Sequence, residues 1–82
     1  MYSVYIVRCA DGTFYTGITV DLKRRIIEHN SLKLGARYTR TRRPVKLVYA
    51  KKYRTRSMAS KAEARIKALP RREKLKVIQR GK

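Results

Sequence analysis

Five side chains in this 82-residue chain, Tyr5, Tyr15, Arg25, His29 and Glu63, are of types that could act together on a phosphodiester. An arginine presents a planar fork of donors to phosphate oxygens and stabilises charge that develops in a transition state, which a lysine does less well. A glutamate oxygen suits a hard divalent cation, Mg²⁺ or Mn²⁺, able to offset charge on a leaving oxygen. A phenol or an imidazole can orient a water or take its proton. Carboxylates are scarce, five against 23 lysines and arginines, so one at the edge of an apolar helical stripe draws attention. Plainer roles are available to each. Glu63 with Lys67 is an ordinary i,i+4 pair, and Ser60 to Glu63 formally matches a capping box. Arg25 can cover the core with its stem, and His29 can sit at the negative end of a helix dipole. A second group, Arg37, Tyr38, Arg40, Arg42 and Arg43 in "ARYTRTRRP", interleaves cations with hydroxyls and one aromatic, a composition suited to phosphates and a stacked base.

The elements that must position these groups follow from periodicity. Residues 2 to 9 and 13 to 17 are β-branched and aromatic runs joined by Ala10-Asp11-Gly12, which predicts a hairpin. Asp-Gly fits two turns. A two-residue loop would put Tyr5 and Tyr15 on opposite faces of the sheet. A three-residue loop with Gly12 left-handed would set Val7 opposite Tyr15 and bring both tyrosines to one face. Turn chemistry leaves both open; a site in which both phenols reach one phosphate requires the three-residue loop, which is the prediction adopted. From Asp21, a candidate N-cap, the spacing becomes helical to about Asn30, with Leu22 and Ile26 on the buried stripe and Arg25 and His29 along its flank. Residues 31 to 44 read as a basic loop and 45 to 53 as a third strand. Ser57 is the expected cap of a second helix with Met58, Ala62, Ile66 and Leu69 buried. Pro70 ends it, and a last helix over 71 to 80 offers Leu75 and Ile78 to the core. The order β-β-α-β-α-α predicts an α+β fold, a three-stranded antiparallel sheet flanked by helices, in one domain over 1–82.

Composition narrows the partner. A formal net charge of +18 exceeds what solubility needs and makes the folded chain repel itself, so a polyanion is the economical partner. The cations are spread through strands, loops and helices instead of lining one amphipathic helix, which favours nucleic acid over a membrane surface. The single cysteine, Cys9, excludes an intrachain disulfide and reads as a small buried hydrophobe, consistent with the reducing cytoplasm. No window approaches the ~18 to 20 apolar residues of a spanning helix, and the first residues lack the basic start and cleavage site of a signal peptide.

With these residues assembled, the sequence resembles the GIY-YIG nuclease superfamily, in particular small stand-alone domains similar to the N-terminal domain of the excision-repair nuclease. Ser3-Val4-Tyr5 stands where the family has Gly-Ile-Tyr, and Tyr15-Thr16-Gly17 where it has Tyr-Ile-Gly. Arg25, eight residues after Gly17, matches the catalytic arginine, and His29 lies one turn further on, where several members carry a functional histidine. Glu63 in "KAEARIKAL" matches the metal-binding glutamate. Many members also use an asparagine near the end of the domain, whereas Asn30 is the only asparagine here. The resemblance implies metal-dependent hydrolysis of DNA phosphodiester bonds with slight sequence specificity, one divalent cation on Glu63, and a part in DNA repair. The substrate would be branched, nicked or single-stranded DNA, with RNA left open. The competing expectation is a non-catalytic nucleic-acid-binding module on the same scaffold, which would have no use for a carboxylate beside the arginine.

Overall fold

The computed structural model describes residues 1–31, 39 and 41–80. Strand β1 (Tyr2–Arg8) lies between β2 (Phe14–Thr19) and β3 (Lys46–Tyr53) in one antiparallel sheet ordered β2-β1-β3. The β1–β2 register sets Val7 opposite Tyr15 and Tyr5 opposite Gly17. The turn is the three-residue form. Gly12 adopts φ 85°, its N–H donates to the Cys9 carbonyl at 2.9 Å, and Cys9 N–H donates to the Thr13 carbonyl at 2.8 Å. Asp11 organises it by accepting from the Thr13 hydroxyl at 2.6 Å and the Thr13 N–H at 3.1 Å, and the first of these chiefly holds its carboxyl below the usual range.

Helices cover the two sheet faces differently. On one face Tyr5, Val7, Cys9 and Val45 form a buried cluster against Leu22 and Ile26 of α1 (Leu22–His29). On the other, Val4 and Ile6, both 0% exposed, meet Ala59, Ala62 and Ile66 of α2 (Arg56–Lys67) and Ile78 of α3 (Arg71–Arg80). Each fully buried aliphatic side chain contributes about 1.5–3 kcal/mol. Asp21 caps α1 by accepting from Arg24 N–H at 3.1 Å, and Asn30 ends it as expected. Asn30 also clamps the start of β3, accepting from Val45 N–H at 2.7 Å and donating to the Val45 carbonyl.

Three sequence expectations are corrected. The cap of α2 is Thr55, extended and accepting from Met58 N–H at 3.2 Å, and not Ser57. Its buried stripe is Ala59, Ala62 and Ile66, leaving Met58 51% exposed. The stripe runs one residue on from Met58, through Ala59, which is 0% exposed and packs on Val4 and Ile6 in the core cluster. In α3, Leu75 stays 40% exposed while Val77 packs on the core beside Ile78. No helix among the described residues is long and apolar enough to cross a membrane.

Candidate active site

The hairpin register decides where the two tyrosines point. Both lie on the α1 face, and they differ in depth: Tyr5 is 1% exposed and Tyr15 is half-buried. Tyr5 lies flat across its cross-strand partner Gly17, where a Cβ would fall 2.5 Å from the phenol oxygen. The glycine leaves room for the ring.

Helical spacing brings Arg25 and His29 to the same place, one turn apart on the flank of the Leu22–Ile26 stripe. The Tyr5 hydroxyl is 2.6 Å from His29 Nε2, and His29 Nδ1 is 2.9 Å from Thr39 Oγ1. Arg25 hydrogen-bonds the Tyr5 hydroxyl as well. Proton inventory assigns the directions. Arginine only donates, so the Tyr5 oxygen accepts from Arg25 and its single proton goes to His29 Nε2. The remaining imidazole proton then sits on Nδ1 and is donated to Thr39. His29 and Thr39 are both 0% exposed, and no buried side-chain polar atom among the described residues lacks a partner.

Burial sets the protonation states. It pushes the Tyr5 phenol up to about 12, outweighing the lowering effect of the Arg25 hydrogen bond. At Tyr5 desolvation thus outweighs the pull of the neighbouring positive charge toward a phenolate, and the phenol stays protonated. Burial, joined by the Arg25 charge, pulls His29 down to about 4, so the imidazole is neutral near pH 7.

Arg25, with 26% of its side chain exposed, also gives Nη1 to Glu28 Oε1 at 2.9 Å, and Arg24 Nε takes the other carboxylate oxygen at 3.1 Å. The Arg25 hydrogen bond is the main reason the Glu28 carboxyl is held below its usual range. Anchored at one nitrogen and leaning on Tyr5, the guanidinium has a set orientation.

Tyr15 sits above this chain, its ring edge-on to His29 with centroids 5.2 Å apart. Lys67 Nζ stands 6.0 Å from the Tyr15 ring centroid and 3.3 Å from Glu63 Oε2. Glu63, on α2, therefore reaches the site round the β2 edge, and its charge is felt at Tyr5. The i,i+4 pair with Lys67 exists, while the mid-helix capping box does not, since α2 begins at Arg56.

The donor set fits a divalent cation in one form only. No group of three or more metal-ligating side chains occurs among the described residues, so an all-protein cage is not available. A single carboxylate is enough for an ion such as Mg²⁺, which keeps several waters and takes substrate phosphate oxygens for the rest. Glu63, 24% exposed in its side chain and paired with the lysine that stands over the Tyr15 ring, offers that one oxygen ligand.

The structure thus gathers Tyr5, Tyr15, Arg25 and His29 directly and sets Glu63 at their margin. Of the basic segment, Arg37, Tyr38 and Arg40 lie outside the described residues. Arg42 Nε is paired with Asp11 Oδ2 at 3.0 Å, tying that segment to the hairpin turn, and Arg43 is half-buried beside it. Sequence reasoning missed Glu28 and Thr39. Glu28 was readable as the i+3 partner of Arg25, but nothing in the spacing marks Thr39. A separate hollow of about 750 Å³ between α1 and β3, floored by Val20, Ile26 and Leu47, is apolar and away from these groups.

The fold and site thus combine tyrosines on two paired strands, an arginine on the helix across them and a glutamate on a later helix. The family model of the GIY-YIG catalytic domain matches residues 1–76, and the chain belongs to that family. It is 67% identical over 66 residues to a UPF0213 protein of Desulfotalea psychrophila, covering 80% of this chain and 60% of that one. It is 54% identical to a UPF0213 protein of Staphylococcus epidermidis, covering 95% of this chain and 94% of the relative. Among solved structures, the solution NMR structure of the E. faecalis protein EF2693 is similar with a TM-score of 0.66, at 45% identity, over 95% of this chain and 82% of that one. That of the UPF0213 protein BH0048 from Bacillus halodurans gives 0.62 at 42% identity, over 96% of this chain and 84% of the other.

Proposed function

We propose that the chain is a divalent-metal-dependent endonuclease that hydrolyses DNA phosphodiester bonds with little regard to sequence. The observation that carries this reading is the buried relay from Arg25 through Tyr5 to His29 and Thr39, which fixes one guanidinium beside a half-exposed phenol and a marginal carboxylate. A module that only holds nucleic acid needs cations; it does not need an arginine immobilised by a fully satisfied internal network.

In this reading the two tyrosines divide the work. Tyr5 and His29 are too deep to touch a substrate, so they position Arg25. Tyr15, reachable and stacked edge-on to His29, accepts a hydrogen bond from the attacking water and aims it at phosphorus. Arg25 keeps one nitrogen on Glu28 and presents the rest of its fork to non-bridging oxygens, where negative charge builds as the bond to the leaving oxygen breaks. Glu63 would hold one Mg²⁺ or Mn²⁺, whose chemistry when bound is to offset charge on the phosphate and the leaving oxygen. Lys67, with Nζ 3.3 Å from Glu63 Oε2, would give up that oxygen to a bound cation and supply a further positive charge at the site.

Low specificity fits a surplus of cations for the phosphate backbone, with no element among the described residues shaped to read base edges. Incubating purified chain with labelled duplex, nicked, branched and single-stranded DNA, with Mg²⁺, with Mn²⁺ and with chelator, tests the proposal. Cleavage of at least one substrate that stops in chelator supports it. Its absence with every substrate in both metals moves the assignment to a binding module.

A further inference from the structure

A different part of the molecule has the make-up of a binding surface for an unpaired nucleic-acid strand. Beyond the bulge near Ile6, the face of β3 turned toward α2 and α3 carries Tyr49, Lys51 and Tyr53, on the side opposite α1. Alternation along the strand puts the cation between the two rings. Helices α2 and α3 wall the other side with Arg65, Val77 and Arg80, forming two adjoining hollows of about 450 and 330 Å³ that share Tyr49, Lys51 and Val77. No acidic side chain lines either one among the described residues. Tyr49 and Tyr53 are half-buried, packed on the core yet lining the hollows, while Lys51, Arg65 and Arg80 are exposed. The Lys51 ammonium stands 5.6 Å over the Tyr53 ring, so a cation already sits beside this aromatic surface.

We infer that the Tyr49–Lys51–Tyr53 groove binds a single strand of DNA or RNA, with bases stacked on the two rings and phosphates met by Lys51, Arg65 and Arg80. Base stacking on aromatic rings needs an exposed π-face but no particular base edge, and nearby cations then follow the backbone. A duplex keeps its bases stacked on one another and cannot offer their faces to the rings. A second copy of this chain is a poor occupant, because +18 would meet +18 across a groove already rimmed by three cations. The groove lies across the sheet from Tyr15 and Arg25, on the far edge strand, and does not depend on the cleavage reading. Bound there, an unpaired strand would leave the α1 face free for another segment of the same molecule.

The test uses the full chain in chelator, so that cleavage plays no part. The sequence has no tryptophan, so Tyr53→Trp introduces a single indole fluorophore in the groove. Oligo-dT and oligo-U of equal length should quench it, a preference between them telling DNA from RNA, whereas duplex DNA of that length should quench it far less. Tyr53→Leu should weaken single-strand binding by about 5-fold to 100-fold, and Lys51→Ala should lower the salt slope, with melting temperatures near wild type and duplex affinity unaffected. Tyr49→Leu adds a second ring deletion if it folds; Tyr53→Leu and Lys51→Ala stand without it. Indole fluorescence in Tyr53→Trp that no single strand quenches, equal quenching by duplex, or unchanged single-strand affinity in Tyr53→Leu overturns the inference, as does a concentration-dependent dimer lost in Tyr53→Leu without strand binding.

Discussion

The two tyrosines that look equivalent in sequence are separated by depth, and their phenylalanine variants should fail in different ways. Tyr5→Phe removes the acceptor for Arg25 and the donor for His29 Nε2 in a site without solvent, so it should cost about 1–3 kcal/mol of stability as well as rate. Tyr15→Phe should leave the melting temperature near wild type and lower only the rate. Equal melting losses in both would refute the division between them. His29 supplies a second residue-scale test. Its folded pKa, about 4, lies below its ordinary value of 6.5, so between these the unfolded chain binds more protons. Its contribution is present above pH 6.5 and is lost as pH falls toward 4, about 3 kcal/mol in all. Asp11 and Glu28, whose carboxyls are depressed from 3.8 and 4.5, act lower in pH, so the fall between 6.5 and 4.5 belongs to His29. Urea melts of His29→Phe should show a flattened slope in that window; an unchanged slope would mean the imidazole is not buried neutral.

At the scale of elements, the hairpin turn is the device on which the site depends, because a slip of one residue in register would send Tyr15 to the other face. Asp11 anchors it from within, and Arg71 at the start of α3 anchors it from without, donating Nη1 to the Gly12 carbonyl at 2.8 Å. Gly17→Ala tests the packing across it. The new Cβ would press on the buried phenol of Tyr5, so we expect about 1–3 kcal/mol of destabilisation and loss of the low His29 pKa, read by NMR titration. Element order, the face of α1 and the span of α3 were legible in the sequence because 3.6-residue periodicity and the Asp21 and Pro70 signals agree. The hairpin register was not legible from Asp-Gly alone; it came from asking what a phosphate site requires. Met58 and Leu75 misled because hydrophobicity marks a stripe only to within a neighbouring residue, and it is Ala59 and Val77 that pack on the core. Nor could spacing foresee that His29 would be sealed by Thr39, which comes from a segment without periodicity.

For the whole molecule, charge is the dominant fact. All five acids already have partners: Asp21 caps α1, while Asp11, Glu28, Glu63 and Glu73 pair with Arg42, Arg24 and Arg25, Lys67, and Lys76. Such exposed pairs add little stability, and the surplus of cations forms a coat whose charge suits phosphates. DNA affinity should fall steeply with salt, and Arg42→Ala with Arg43→Ala should reduce the slope by up to about 0.9 per lost phosphate contact. An unchanged slope would remove that segment from the interface. The coat explains binding but not cleavage, which makes Arg25 and Glu63 the two residues that separate a nuclease from a binder. Single-turnover cleavage by Arg25→Ala and Glu63→Gln, with DNA affinity measured in Ca²⁺ alongside, tests this most directly. The account predicts a loss on the order of 100-fold to 1,000-fold in rate for Arg25→Ala, no detectable cleavage at low metal for Glu63→Gln, and near-wild-type affinity for both. Wild-type cleavage rates in both variants would contradict it.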